Sequence, residues 1–216
     1  METIEFFYIK FFFSPSEALI PRLETENLVR EAIKIIKDRH IETLIDVGTG
    51  TGIIPISIEK NTTTLKNIYG IDLSESALKI AQINKDSNTS KIELIKSNLL
   101  EEFLSGTTKL NGKNIIITAN LPYIKDNDWE NMGEDVKEEP IMALFGGPNT
   151  GFELYEKFFN QVIELKKMYS NKEFSLICEF GYDQSDLAHS FFVDKEIEFK
   201  LFSDLSGVMR FIYVQL

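Results

Sequence analysis

The chain has 216 residues, 43% hydrophobic and 26% charged, enough for one substantial core and too few for two comfortable domains. Thirty-four Asp and Glu against 23 Lys and Arg give a formal charge of −11, which makes a nucleic-acid partner unlikely, because a negative surface repels phosphate backbones unless a local basic patch overrides it. The single cysteine, Cys178, excludes an internal disulfide and reads as a buried thiol, and the distant His40 and His189 offer no metal constellation.

The opening METIEFFYIKFFFSPS is not a signal peptide, since its first residues are acidic, it contains Lys10 and no small-residue cleavage site follows a long apolar core. No run reaches the length of a membrane span, so a cytoplasmic protein is expected. Residues 1–22 read as extended aromatic segments broken at Ser14-Pro15-Ser16, a hairpin-like extension. Leu28, Ile33, Ile35 and Ile36 then fall near helical spacing and predict a helix over 24–40, with His40 supporting its end.

From there strand and helix patterns alternate. TLIDVG, NIYGIDLS, KIELIKSN, NIIITAN and FSLICEFG read as strands. IIPISIEK, ESALKIAQINKDSN, ELYEKFFNQVIELKKMYS and QSDLAHSFF read as helices. KEIEFKLF and MRFIYVQL, separated by SDLSG, predict a closing hairpin. Alternating β and α units demand a mainly parallel sheet covered on both faces, with one antiparallel strand at the end, in one domain over 1–216. Residues 126–151 are polar, glycine-rich and long, and read as an irregular substrate-side loop at the sheet edge.

Asp46-Val47-Gly48-Thr49-Gly50-Thr51-Gly52 follows a strand and opens a helix. Glycines there permit positive φ and close approach of a ligand, and the helix start presents free N–H groups. A tight turn alone would also explain glycines, but three of them alternating in strand-loop-helix context favour ligand binding. Asp72, beside Leu73 at the end of the next strand, suits the two hydroxyls of a ribose. The loop is GxGxG rather than GxGxxG. The nearby Asp46 carboxylate suits a ligand with a positive ammonium group more than a pyrophosphate. S-adenosylmethionine fits that description, with a nicotinamide dinucleotide as the rival. Asn98 either reaches an adenine edge or caps a helix, and Leu99 is placed to pack on the adenine face.

The strand NIIITAN ends in Asn120-Leu121-Pro122-Tyr123. A carboxamide or aromatic amine nitrogen is a poor nucleophile because its lone pair is delocalised. Two acceptors gripping its N–H groups would orient it and favour charge building up on nitrogen. The Asn120 side-chain oxygen is one candidate, and the Leu121 carbonyl, held extended before proline, is the other. Pro122 fixes the turn without a competing N–H, and Tyr123 can wall the pocket. This is positioning and electrostatic catalysis with no strong base. A proline turn capped by asparagine is the competing structural reading.

The sequence resembles the HemK/PrmC family, the release-factor glutamine N5-methyltransferases. Ile20-Pro21-Arg22-Leu23-Glu24-Thr25-Glu26 is similar to the family's PRPETE segment, DVGTGTG to its cofactor loop, GIDLSESAL to its ribose-binding strand end and NLPY to its NPPY motif. Glu139-Pro140, Ala143-Leu144-Phe145-Gly146-Gly147 and Gly151 resemble its EP…AL.GG…G block, and Glu179-Gly181-Gln184 with Asp204-Gly207-Arg210 its closing motifs. The resemblance implies a Rossmann-like class I S-adenosylmethionine-dependent methyltransferase fold with seven strands, the last antiparallel. It also implies methyl transfer to the glutamine of the GGQ motif in peptide-chain release factors. Cofactor contacts then fall on Gly48 to Gly52, Asp72, Leu99 and Asn120, and substrate contacts on Asn120 to Tyr123 with Glu139 and Pro140.

Three departures stand out. Leu23 and Leu121 replace family prolines, NLPY being a form seen in rRNA adenine dimethyltransferases. The family's helical docking domain has no counterpart here, so the chain is a catalytic domain alone or a docking partner replaces it. Two other expectations follow from these departures: an adenine-N6 methyltransferase acting on RNA or DNA, and a non-catalytic module that binds the cofactor or a partner.

Overall fold

A computed structural model describes the backbone of residues 1–216 and every side chain except those of Asn131 and Asp135. The apolar runs become β3 (Thr43–Val47), β4 (Asn67–Asp72), β5 (Glu93–Lys96), β6 (Asn114–Asn120), β9 (Glu173–Glu179), β10 (Phe199–Ser203) and β11 (Met209–Gln215). They form one seven-stranded sheet in the order β10-β11-β9-β6-β3-β4-β5. Pairings from β5 to β9 are parallel, and β11 runs antiparallel to both β9 and β10. This is the sheet read from the alternating pattern, with β11 as its one reversed strand.

Strand residues are apolar on both faces because both faces are covered. Ile45, Val47, Ile115 and Ile117 enter one core, whereas Leu44 and Ile116, the intervening positions, enter the other. The first core is closed by α4 (Glu101–Leu104), α7 (Glu153–Met168) and α8 (Ser185–Val193), which supply Phe103, Phe158, Phe159 and Phe192. The second is closed by α1 (Thr25–Arg39) and α2 (Ile53–Lys60). His40 ends α1 in the left-handed region at φ 51°, its N–H donating to Ile36. Helix α3 (Glu75–Ser87) is capped by the Ser74 hydroxyl, which accepts from the Ala77 N–H. Cys178 is fully buried and its thiol is pushed up by desolvation, as expected of a packing residue. No helix among the described residues is long and apolar enough to cross a membrane.

Two expectations change. The N-terminal hairpin, β1 (Glu2–Phe6) and β2 (Ile9–Phe13), turns at Phe7-Tyr8, whose φ angles are +51° and +63°. A tight hairpin turn needs left-handed residues whatever their type, and aromatic residues there carry no recognisable signal. Ser14-Pro15-Ser16 forms the turn that follows, with the Glu17 N–H donating to the Ser14 carbonyl. The segment 126–151 is also more regular than expected. It holds a 3₁₀ helix (Asp126–Asn131), α5 (Glu134–Lys137), α6 (Ile141–Leu144) and β8 (Phe145–Gly147), which pairs in parallel with β7 (Ile124–Lys125). One-turn helices and three-residue strands are too short to show a period, so the segment reads as loop.

The chain lays down β3, β4 and β5 outward in one direction, then returns to place β6 on the other side of β3. Reversal of winding leaves a crevice at the strands' carboxyl ends, where open α/β sheets hold ligands.

Candidate active site

That crevice is a cavity of about 440 Å³, within the range of small-molecule sites. Its floor is built from four neighbouring strand ends: Gly48–Thr51 after β3, Asp72–Ser74 after β4, Ser97–Leu99 after β5 and Asn120–Pro122 after β6. Its far wall is Pro140–Ala143, and its outer wall comes from the N-terminal segment, including Phe6, Ala18, Leu19 and Arg22. The extension is therefore part of the site. It is fastened there by Asn84, a fully buried side chain on α3. Asn84 accepts from the Phe12 N–H at 2.7 Å and donates to the carbonyls of Phe12 and Thr51 at 2.8 and 2.9 Å. One amide thus joins hairpin, helix and loop.

Asp72 organises the loop. Its two carboxylate oxygens accept the N–H groups of Gly50 and Ser74, each at 2.8 Å. Burial raises its pKa, and the N–H groups of Ser74, Gly50 and Leu73 oppose the rise. Gly50 has φ +54°, and a Cβ built there would meet no atom within 4 Å. Packing does not require glycine at this point. The backbone conformation and the open cavity beside it do. Leu99 also adopts a left-handed φ of 55° while lining the cavity with a buried side chain, the kind of strained position that collects at ligand sites.

Asn98 also lines the cavity. It does not cap α4: its side chain donates to Glu101 at 2.7 Å, and α4 has no side-chain cap. Leu73, half exposed, lies on the rim. Gly52 starts α2 from the left-handed region behind the lining residues.

Asp46, expected to face the ligand, instead lies behind the loop. It is fully buried and contributes nothing to the cavity lining. One oxygen accepts from the Thr118 hydroxyl at 2.6 Å, and the other finds no hydrogen bond of ordinary geometry. Desolvation pushes its pKa up to about 7, opposed by the Thr118 and Thr49 hydroxyls and reinforced by the charge of Asp72. A strand alternates its faces, and two residues before the glycine this side chain points into the sheet layer. It reaches a ligand only through the field it sets up behind the loop.

At β6 the motif NLPY is held at several points. Asn120 Nδ2 donates to the Thr25 hydroxyl oxygen at 3.1 Å, so the amide nitrogen is occupied by α1. The Leu121 N–H donates to Tyr155 Oη at 2.9 Å, and that hydroxyl donates in turn to the Glu179 carbonyl. Tyr155, fully buried on α7, thereby ties the motif to the end of β9. Gln184 Nε2 donates to the carbonyls of Tyr123 and Thr150 at 2.9 and 3.2 Å. Leu121 and Pro122 line the cavity. Tyr123 stands just past its edge, a half-buried phenol whose pKa is raised by burial and by Glu179.

The glycine block has a steric cause. A Cβ on Gly146 would strike the carbonyl oxygens of Gly151 and Pro122. Backbone of β8 and of the motif therefore meet with no room for a side chain.

Glu139, expected at the substrate, points elsewhere. It is 3% exposed, accepts the Ile20 N–H at 2.8 Å and pairs with the Arg22 guanidinium. A buried carboxylate needs such partners, and here they fasten the far wall to the outer wall. Pro140 lines the cavity as expected. Sequence reasoning gave no role to Tyr155, to the Asn84 clasp or to the Thr25 contact. Thr25 lay inside the PRPETE-like segment, and only its 95-residue separation from Asn120 hid the pairing.

The site therefore combines a mostly apolar cleft with the Asp72 carboxylate on its floor and the fully buried Asp46 behind the glycine loop.

The family model for ribosomal protein L11 methyltransferase matches residues 24–143. A release factor glutamine methyltransferase of Enterococcus faecalis is 33% identical over 93% of this chain and 69% of its own. That of Staphylococcus aureus is 30% identical over 95% and 71%. The human Mettl16 catalytic domain, solved with a MAT2A 3′UTR hairpin, superposes with a TM-score of 0.66 at 13% identity, covering 93% of this chain and 73% of that one. The fold is that of class I S-adenosylmethionine-dependent methyltransferases, and by its relatives across nearly the whole length this chain belongs to the release factor glutamine methyltransferases.

Proposed function

We propose that this protein transfers a methyl group from S-adenosylmethionine to the side-chain amide nitrogen of the glutamine in the GGQ motif of a peptide-chain release factor, acting as one catalytic domain in the cytoplasm. The observation that carries the reading is the placement of Asn120. Its nitrogen is engaged by Thr25, which leaves its carbonyl oxygen for an acceptor amide beside the glycine loop and Asp72.

The bound cofactor supplies a methyl group on a cationic sulfur. Asp72 would hold its ribose, Asn98 and Leu99 its adenine, and the loop Gly48–Thr51 its amino-acid portion. Burial of Asp46 behind that loop places a partly ionised carboxylate where it favours a cationic ligand. Asn120 Oδ1 and the Leu121 carbonyl would accept the two N–H groups of the glutamine amide. That grip orients the nitrogen and stabilises positive charge as it develops, the preorganised electrostatic contribution that acts most strongly in a water-poor site. Tyr155 fixes the Asn120–Leu121 peptide, which adjoins both acceptors.

Mass spectrometry of a release factor incubated with the protein and S-adenosylmethionine tests the reading, with a GGQ glutamine-to-alanine release factor beside it. One added methyl on the native GGQ peptide alone is the expected result. No transfer, with cofactor binding intact, would reject the release-factor acceptor.

A further inference from the structure

Leu99 stands in the left-handed region at φ 55°, with its buried side chain lining the cavity. A leucine is unfavourable there, so its surroundings must hold it in place.

The contacts on either side show how. Ser97 is tied before it: its N–H donates to the Asp72 carbonyl at 3.0 Å, and its hydroxyl accepts the Glu102 N–H at 3.2 Å. After it, the Leu100 N–H donates to Gln161 Oε1 at 2.8 Å. Gln161 belongs to α7, 61 residues further along the chain. It is 9% exposed and contributes nothing to the cavity lining. An N–H can only donate, so this contact fixes which end of the amide faces Leu100. Leu100 itself is fully buried in the first core. The dihedral angles of Leu99 set the direction of the Leu99–Leu100 peptide. Swinging Leu99 back to negative φ would turn that N–H away from Gln161 and leave both groups without a partner in the interior. The hydrogen bond and the left-handed conformation therefore support each other.

The same helix serves the other side of the cleft, where Tyr155 Oη accepts the Leu121 N–H at 2.9 Å. Two polar side chains of α7 thus each take a backbone N–H from a different strand-end loop.

We propose that Gln161 is a positioning residue of the cofactor site: by accepting the Leu100 N–H it keeps Leu99 left-handed, with its side chain set as the apolar wall for the adenine of S-adenosylmethionine. Its effect on binding rests on the adenine placement given above. A wall already in place spares the cofactor a conformational change, so loss of the hold weakens binding.

Two arms separate this role from mere satisfaction of a buried N–H, which would change stability alone. The first uses the cofactor-free protein. The HN–Hα coupling and intraresidue NOE of Leu99 report the sign of its φ by NMR. Positive φ is expected in the native protein and in Gln161→Glu, which keeps an acceptor. It should be lost in Gln161→Met, which keeps the length without one. Gln161→Asn, a methylene short of the contact, replaces Gln161→Met if that variant does not fold. Positive φ retained without the contact, or absent from the native protein, overturns the proposal.

The second arm measures S-adenosylhomocysteine binding by calorimetry. Gln161→Met should weaken it about five- to thirtyfold, the ratio a left-handed leucine forfeits when nothing holds it, whereas Gln161→Glu should stay near native. Leu99→Gly takes positive φ without help, so in that background Gln161→Met should change affinity by less than about twofold. Equal losses in both backgrounds, or none in the native one, overturn the role of Gln161. Native affinity in Leu99→Ala would instead reject the adenine placement, while the NMR arm still decides what holds Leu99.

Discussion

Asp46→Asn should stabilise the protein in a strongly pH-dependent way. The carboxylate is completely buried, keeps one hydrogen bond from Thr118 and carries a pKa of about 7 in place of 3.8. Below about pH 3 folded and unfolded chains are both protonated there, so the group costs nothing. As pH rises, the unfolded chain loses its proton first and the folded one retains it to about 7, so stability falls through that window. Three pKa units at 1.36 kcal/mol each amount to about 4 kcal/mol by pH 8.

Asparagine keeps an acceptor for Thr118 and removes the charge. The advantage of the variant over the native protein should therefore grow by about 3 kcal/mol between pH 4.5 and 8, the first ~1 kcal/mol having been lost below pH 4.5. Urea unfolding of the cofactor-free proteins at matched pH gives this difference directly, with the m-value as a check that both unfold alike. Other titrating groups, Glu179 among them, cancel in the comparison. A difference that stays flat with pH would show that Asp46 is not an unpaired buried acid and would remove its part in polarising the cleft.

Asn120→Ala should leave S-adenosylmethionine affinity near native while kcat falls by about 10²–10³; equal losses in both would make Asn120 structural. Asp72→Ala removes the acceptor of the Gly50 and Ser74 N–H groups, so calorimetry should show weakened cofactor binding, and unchanged affinity would refute the ribose assignment. Tyr155→Phe strands the Leu121 N–H and the Glu179 carbonyl in the core, and should cost about 2 kcal/mol in urea unfolding with a fall in kcat, whereas a neutral change would show that the motif is held by other contacts.

Much of this molecule was legible from sequence because its signals are local. Strand ends at Val47, Asp72, Lys96 and Asn120 follow from apolar runs stopped by polar residues. Their convergence follows from parallel topology, which places all such ends on one edge. Leu99 was placed at the cavity for the same reason, and Pro140 by the family's EP…GG block. NLPY announced itself because an amide and a rigid ring together at a strand end have few structural uses.

What only the tertiary structure decided is where buried polar groups find their partners. Asp46 and Glu139 look like ligand-facing acids in sequence. The fold turns the first into the sheet layer and spends the second on Ile20 and Arg22. Thr25, Tyr155 and Asn84 carry no motif of their own for what they do, since each bonds across 34 or more residues or joins elements far apart in the chain. Sequence pattern reports hydrophobic period and turn chemistry, properties of neighbours a few residues away. Satisfaction of a buried hydrogen bond is a demand of the folded interior, and its answer depends on which elements the sheet brings together.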